Sequence, residues 1–265
     1  MGILKITKVG ESNKNYIVNR LKIDLLHNLF VIYNLICEPK NSITYVAYDD
    51  NEFKGLLSVY KATPPMVRID GEEDAVHRLL ELIQWNRMIL FCPPALLHVV
   101  KCKFPDANCY PEYQMYVVKG EEKPITPNLA EKLKPENAPL LAELYSSSPA
   151  EFQFSRSEQR CRELIEICNV YGIFKEDKLV STAVSVKKLP EAGELIGVFT
   201  HPKYRGRGLG KMVVSAATED ALQYTKGVNL YVGADNKPAI RIYEKLGYRR
   251  VDEWFWVDIG TGLKP

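Results

Sequence analysis

The residues best suited to chemistry stand in a short glycine-rich segment, RGRGLGK, at positions 205–211. A predicted strand precedes this segment and a predicted helix follows it. Glycine permits backbone angles that other residues avoid and lets a ligand approach the main chain closely. Free N–H groups at a helix N-terminus attract anions, and three cations lie among the glycines. The predicted phosphate or pyrophosphate site consists of Arg205, Gly206, Arg207, Gly208, Leu209, Gly210 and Lys211.

Two common phosphate-binding loops are excluded by spacing. A P-loop has four residues between its first glycine and a Gly-Lys pair that Ser or Thr follows. Here three residues separate Gly206 from Gly210, and Met212 follows Lys211. The dinucleotide fingerprint is GxGxxG, whereas this segment reads GxGxG. The loop therefore belongs to a different kind of site.

Two motifs resemble those of the GNAT superfamily of N-acyltransferases. Residues 205–210 fit the R/Q-x-x-G-x-G/A acyl-CoA loop, and residues 236–248 fit the N-x-x-A-x-x-x-Y-x-K-x-G-F/Y helix. The resemblance covers about residues 123–265 and is only topological over residues 1–122. The whole chain is similar to the tandem type, in which a degenerate half precedes an active one, as in the glycine N-acyltransferase-like branch.

The resemblance implies a fold and a co-substrate. The fold is α/β (α+β), with a mixed central sheet and flanking helices, duplicated along the chain. The co-substrate is acetyl-CoA, and no metal is implied. The backbone of Val198, Phe199 and Thr200 would pair with the pantetheine arm. The amide at Val198 would polarise the thioester carbonyl, and Asn236 would contact the CoA arm.

Two side chains are candidates for proton transfer. Glu194 lies 11 positions before Arg205, where many members of the superfamily carry a general base, and strand alternation places it on one face with Ile196, Val198 and Thr200. Tyr243 stands at the tyrosine of the second motif, where the resemblance implies an acid that protonates the departing thiolate. The structural alternatives are a solvated strand residue for Glu194 and a packed aromatic for Tyr243.

The elements around these residues repeat along the chain. Strands at 44–48 and 53–60 form a predicted hairpin, and so do strands at 171–174 and 179–186. Their turns begin at Asp49 and Lys175, which are 126 positions apart. Helices are predicted over 16–36, 72–85 and 96–103 in the first half. The predicted division is a degenerate GNAT-like domain over residues 1–122 and a GNAT N-acetyltransferase domain over 123–265.

The first half lacks the reactive residues of the second. Arg68 stands 126 positions before Glu194, and Lys103 stands 140 positions before Tyr243. No RxxGxG motif occurs before residue 123. The sequence therefore predicts one acyl-CoA site, in the second half.

Composition and net charge reduce the classes of partner that this protein is expected to bind. The 35 Lys and Arg nearly cancel the 33 Asp and Glu, leaving a net charge of +2, so no global field favours nucleic acid or an anionic membrane. The N-terminal residues show no signal-peptide pattern, and no apolar run reaches the length of a membrane span. The six cysteines show no metal-binding spacing. We expect a cytoplasmic protein that binds neither nucleic acid nor membrane.

The acceptor is left open by the sequence. The leading interpretation is an acetyl-CoA-dependent N-acetyltransferase that acts on a primary amine of a small molecule or a protein. The alternatives are a non-catalytic acyl-CoA-binding or sensor module, and an amino-acid N-acyltransferase that uses a longer acyl-CoA. Residues 145–160, which include Phe152, Phe154, Arg156 and Arg160, lie where the superfamily usually places its acceptor loop.

Overall fold

The computed structural model describes residues 4–148, 157–186 and 188–265. It forms two compact units. Unit 1 contains the residues up to Glu112 together with Asp252–Pro265, and unit 2 contains Tyr113–Val251. The sequence prediction divided the chain at residue 122. The units instead divide it at two points, because the C-terminal segment belongs to unit 1 with the N-terminal residues.

The two halves of the chain run through the same order of elements, βααβββαβαβ. The first half contains β1 (Lys5–Lys8), α1 (Lys14–Leu21), α2 (Leu29–Ile36), β2 (Ser42–Asp49), β3 (Glu52–Tyr60), β4 (Met66–Gly71), α3 (Glu73–Leu80), β5 (Met88–Cys92), α4 (Leu97–Lys103) and β6 (Asn108–Val118). The second half contains β7 (Glu131–Lys132), α5 (Ala138–Ser146), α6 (Glu158–Ile167), β8 (Asn169–Lys175), β9 (Lys178–Val186), β10 (Gly193–Thr200), α7 (Leu209–Leu222), β11 (Gly227–Gly233), α8 (Lys237–Lys245) and β12 (Arg249–Ile259).

Each unit has a mixed sheet with flanking helices, which confirms the predicted fold class. In unit 1 the strand order is β1-β2-β3-β4-β5-β12. The pairing is antiparallel except between β4 and β5. In unit 2 the order is β6-β11-β10-β9-β8-β7, and β10 pairs with β11 in parallel. The last strand of each half thus belongs chiefly to the unit of the other half.

Both predicted hairpins are present, and their turns match in detail. Asp50 and Asn51 have positive φ angles of 44° and 69°, and Glu176 and Asp177 have φ angles of 51° and 62°. Two central residues with positive φ match the twist of the flanking strands, and Asp and Asn tolerate that conformation better than most residues. The 126-residue spacing seen in the sequence is therefore kept in the backbone.

The long helix predicted over 16–36 is wrong in one respect. It is divided into α1, a short 3-10 turn (Lys22–Asp24) and α2. The Asn28 side chain donates hydrogen bonds to the carbonyls of Leu21 and Asp24. A side-chain amide that bonds nearby carbonyls competes with helical pairing, and the apolar periodicity does not reveal this. No described helix is long and apolar enough to cross a membrane.

The interruption places His27 between two carboxylates of unit 1. Its Nδ1 lies 2.6 Å from Asp252 Oδ2 and its Nε2 lies 2.7 Å from Asp70 Oδ2. Both ring nitrogens therefore donate, which requires the protonated imidazolium. Burial by itself lowers the pKa of His27, but the bonds to Asp252 and Asp70 outweigh it and raise the pKa from 6.5 to about 9.

Unit 1 should accordingly lose stability in mild alkali. A raised folded-state pKa means that the contribution is complete below pH 6.5 and is lost as the pH rises through about 9. Because the ring is partly exposed, we expect a loss of about 1–2 kcal/mol in the free energy of unfolding. Urea unfolding of the wild type and of His27→Gln from pH 6 to pH 10 would measure it. Parallel pH dependences in the two proteins would contradict this assignment.

Candidate active site

Strand β10 carries a bulge in the middle of unit 2. Its antiparallel register with β9 runs Glu194↔Val186 to Ile196↔Val184, then resumes at Phe199↔Thr182. Gly197 has a φ of +59°, which only glycine adopts readily. Gly197 and Val198 thus share one position opposite β9, and a bulged residue leaves backbone groups outside the ladder.

The bulge corrects the predicted alternation of side chains. Ile196 and Phe199 pack in the cluster beneath α5 and α6, whereas Leu195 and Val198 pack in the cluster beneath α7 and α8. Glu194 therefore does not share a face with Val198 and Thr200. Simple alternation has a period of two, and one extra residue reverses the faces beyond it.

The two parallel strands β10 and β11 separate next to the bulge. They are in register only at Gly193↔Val228 and Glu194↔Asn229, although both strands are described along their full length. Beyond Glu194, one edge of β10 is therefore not paired with β11. Gly197 and Val198 have no register partner in the pairing with β9 or with β11, so the regular ladder is interrupted at this point of β10.

The glycine-rich loop follows at the end of β10. A 3-10 turn (Pro202–Tyr204), begun by His201, leads into the loop, and α7 starts at Leu209. Gly206 and Gly208 have φ angles of +76° and +78°, and a Cβ atom added to either would meet no atom within 4 Å. Within the described residues, no acceptor bonds the N–H groups of positions 206–211. The loop therefore has unpaired backbone donors, with open space beside Gly206 and Gly208.

Cations surround these amides. Arg205 Nε donates to the Thr200 carbonyl at 3.1 Å, which ties the loop to the end of β10. Arg207 and Arg205 are exposed, Lys211 is half-buried, and the Leu209 side chain is buried. The buried Leu209 side chain thus fixes the start of α7 against the core, while the guanidinium groups of Arg205 and Arg207 are exposed to solvent. This arrangement suits the binding of an anion.

Glu194 lies at the start of β10 and is 8% exposed. Its Oε2 forms an ion pair with the Lys188 ammonium. Its register neighbour on β11, Asn229, is fully buried and accepts a hydrogen bond from Gln114 Nε2 at 2.8 Å. The predicted alternative of a solvated strand residue is wrong, because the carboxylate is enclosed and paired.

Helix α8 carries the second motif. The Asn236 side chain caps it by accepting a bond from the Ala239 amide at 3.3 Å, so this side chain has a structural task. Tyr243 is 5% exposed and lies in the core beneath α7 and α8, with its ring 5.8 Å from that of Tyr248. Burial raises the pKa of Tyr243, which keeps the phenol protonated at neutral pH.

Sequence reasoning missed two features of this site. No motif marks Lys188, and the available signal is the short turn around Pro190 between two strands, which places it opposite Glu194. No motif marks the bulge at Gly197 either, but an isolated glycine within a predicted strand is a known sign of one. In the predicted acceptor segment, residues 149–156 lie outside the described residues, and Arg160 of α6 pairs with Glu163 at 2.9 Å.

Known proteins resemble part of this chain in sequence. Residues 170–257 match the family model described as FR47-like protein. An uncharacterized N-acetyltransferase from Methanocaldococcus jannaschii is 39% identical over 59 residues, which are 22% of this chain and 26% of that protein. The chain thus matches only about a quarter of that relative's length.

Solved structures cover far more of the chain. A Drosophila protein superposes with a TM-score of 0.78 at 16% identity, over 99% of this chain and 100% of that one. A tandem GNAT protein from the clavulanic acid biosynthesis pathway has a TM-score of 0.58 at 16% identity, over 97% and 99% of the two chains. The chain therefore has the mixed α/β fold of the GNAT acyl-CoA N-acyltransferases.

Proposed function

We propose that this protein is an acetyl-CoA-dependent N-acetyltransferase that acetylates a primary amine by direct attack on the thioester. The observation that carries the proposal is the opened edge of β10, which leads into six unbonded amides at the start of α7. A free strand edge suits an extended arm, and amides at a helix N-terminus suit its pyrophosphate. A protein that binds a compact ligand would not need both a free strand edge and a helix N-terminus.

Different residues would bind different parts of acetyl-CoA. The amides of positions 206–211, with Arg205, would hold the pyrophosphate, and the backbone from Val198 to Thr200 would pair with the arm. The Val198 amide would stabilise the negative charge that develops on the carbonyl oxygen. Asn236 would contact the arm through its exposed side, while its side-chain oxygen caps α8.

Two proton transfers complete the reaction. Glu194 would take a proton from the acceptor ammonium, directly or through water, which leaves a neutral amine. The amine nitrogen then bonds to the thioester carbon and the carbon–sulfur bond breaks. The nitrogen releases its second proton to solvent, and solvent would return a proton to the Tyr243 oxygen after the thiolate has been protonated. Tyr243 would give its proton to the departing thiolate, and its raised pKa keeps that proton available at neutral pH.

The first half of the chain lacks the features of this site, which supports a single site per chain. Strand β4 pairs with β3 without interruption from Tyr60↔Met66 to Gly55↔Gly71, so it has no bulge. Arg68, at the position equivalent to Glu194, is 3% exposed, and its guanidinium lies 3.0 Å from the Trp254 ring centroid. We infer a duplicated, tandem chain with a degenerate first half. Calorimetric titration with acetyl-CoA should give one site per chain, and two equivalent sites would contradict this.

Thiol release measured with acetyl-CoA and a panel of small-molecule and peptide amines tests the activity. We expect release that depends on the amine, with kcat lowered about 100-fold in Glu194→Gln because the base is lost. Tight acetyl-CoA binding without release across the panel would favour the non-catalytic module instead. Faster release with longer acyl-CoA would favour the amino-acid N-acyltransferase. Cytoplasmic location remains part of this proposal.

A further inference from the structure

Lys188 is held against Glu194 by the turn that joins β9 to β10. Leu189 and Ala192 exchange two backbone hydrogen bonds of 3.1 Å each, which close this turn. Lys188 and Glu194 form an ion pair, and their side chains are only 16% and 10% exposed. A long lysine side chain loses much rotamer freedom when it is enclosed in this way, so the contact is more than a surface ion pair.

Described neighbours of the pair lie on β9, on β11 and at the end of α6. Val186 of β9 and Asn229 of β11 are the register neighbours of Glu194, and neither carries a charge. The Cys168 thiol at the end of α6 senses the Lys188 charge: burial raises the pKa of Cys168, and Lys188 opposes that rise. Among these neighbours, Lys188 supplies the positive charge that compensates the Glu194 carboxylate.

The charge beside a carboxylate determines whether that carboxylate can accept a proton. An enclosed carboxylate without a cationic partner is costly, and it lowers that cost by binding a proton. A protonated carboxyl group has no capacity to accept a proton from an ammonium. The Lys188 ammonium lies against the Glu194 carboxylate, and a neighbouring positive charge favours the ionised form of a carboxyl group.

We propose that Lys188 is a positioning residue that keeps Glu194 ionised and fixed at the sheet face. The inference rests on the proposed function for its catalytic meaning, but the protonation state of Glu194 can be measured without any acceptor. It also explains why a largely enclosed lysine lies beside the carboxylate that is the proposed base.

Infrared pH titration of the full-length protein tests the proposal directly. The protonated carboxyl band that disappears in Glu194→Gln identifies Glu194. In Lys188→Met, we expect this band to be half-formed about one pH unit higher than in the wild type, which is tenfold tighter proton binding. Lys188→Arg should restore the wild-type titration because it keeps the charge. A wild-type titration in folded Lys188→Met would overturn the proposal.

Kinetics then separate this inference from the proposed function. With acetyl-CoA and an amine found active in the panel, kcat of Lys188→Met should fall about tenfold at low pH and recover at high pH, with unchanged acetyl-CoA affinity. The acceptor amine takes up protons equally in assays of all variants, so the difference in kcat between Lys188→Met and the wild type at each pH isolates the effect of Lys188. Wild-type kcat in Glu194→Gln would refute the base role even if the infrared shift occurs. Lys188→Gln serves as the second variant should Lys188→Met not fold.

Discussion

Replacement of Tyr243 by phenylalanine is expected to lower kcat about 100-fold while the affinity for acetyl-CoA stays unchanged. General acid catalysis contributes about 100-fold or more, and this variant removes only the hydroxyl that would protonate the thiolate. The ring remains in its packed position in the core. No described residue forms a hydrogen bond with the Tyr243 hydroxyl, so its removal should cost little stability. Stopped-flow thiol release and calorimetric acetyl-CoA binding would measure the two effects separately.

Tyr248→Phe provides a matched control in the same core. The Tyr248 hydroxyl lies 2.7 Å from Thr218 Oγ1, so its loss should lower the free energy of unfolding by about 1 kcal/mol with kcat unchanged. The two variants remove the same atom from neighbouring rings. A kcat in Tyr243→Phe equal to that of the wild type, with chemistry rate-limiting, would remove Tyr243 from the mechanism.

Substitution of Gly208 by valine is expected to weaken acetyl-CoA binding at least about 100-fold, or about 3 kcal/mol. The added side chain would enter the open space beside the amides of the loop, where the pyrophosphate is proposed to lie. Without a ligand, the new Cβ meets no atom within 4 Å. Isothermal titration with acetyl-CoA would measure the loss.

Backbone strain has to be separated from this obstruction. Gly208 has a φ of +78°, so valine there also strains the main chain, by about 1–2 kcal/mol. Gly120 has a φ of +91° and equally open surroundings, but it lies outside the proposed site. Gly120→Val should therefore lose similar stability and bind acetyl-CoA normally. Normal affinity in Gly208→Val would mean that the loop does not hold the pyrophosphate.

Much of the fold could be predicted because its signals are local. The Asp50-Asn51 and Glu176-Asp177 turns form from residues that tolerate positive φ, and alternating apolar residues extend on each side of them. The helix after Gly208 begins where the glycine-rich loop ends. Such features depend on a few neighbouring residues, so a single sequence is sufficient to find them.

The candidate site could be predicted only in part. The loop and α8 were located through motifs, and the roles of their residues stay predictions. The burial of Glu194, its pair with Lys188 and the face reversal at Gly197 depend on strand register. Register is a long-range property, and a single inserted residue reverses every side chain beyond it.

By itself, the sequence determined the two hairpins, the helix after Gly208 and the residues of the glycine-rich loop. Only the tertiary structure decided that β12 completes unit 1, that β10 and β11 separate beyond Glu194, and that Tyr243 is enclosed. The two groups of features differ because some depend on residues close together in the sequence and others on residues far apart. Turns and helix ends are set by neighbouring residues, whereas pairing and burial arise when distant segments exclude water together.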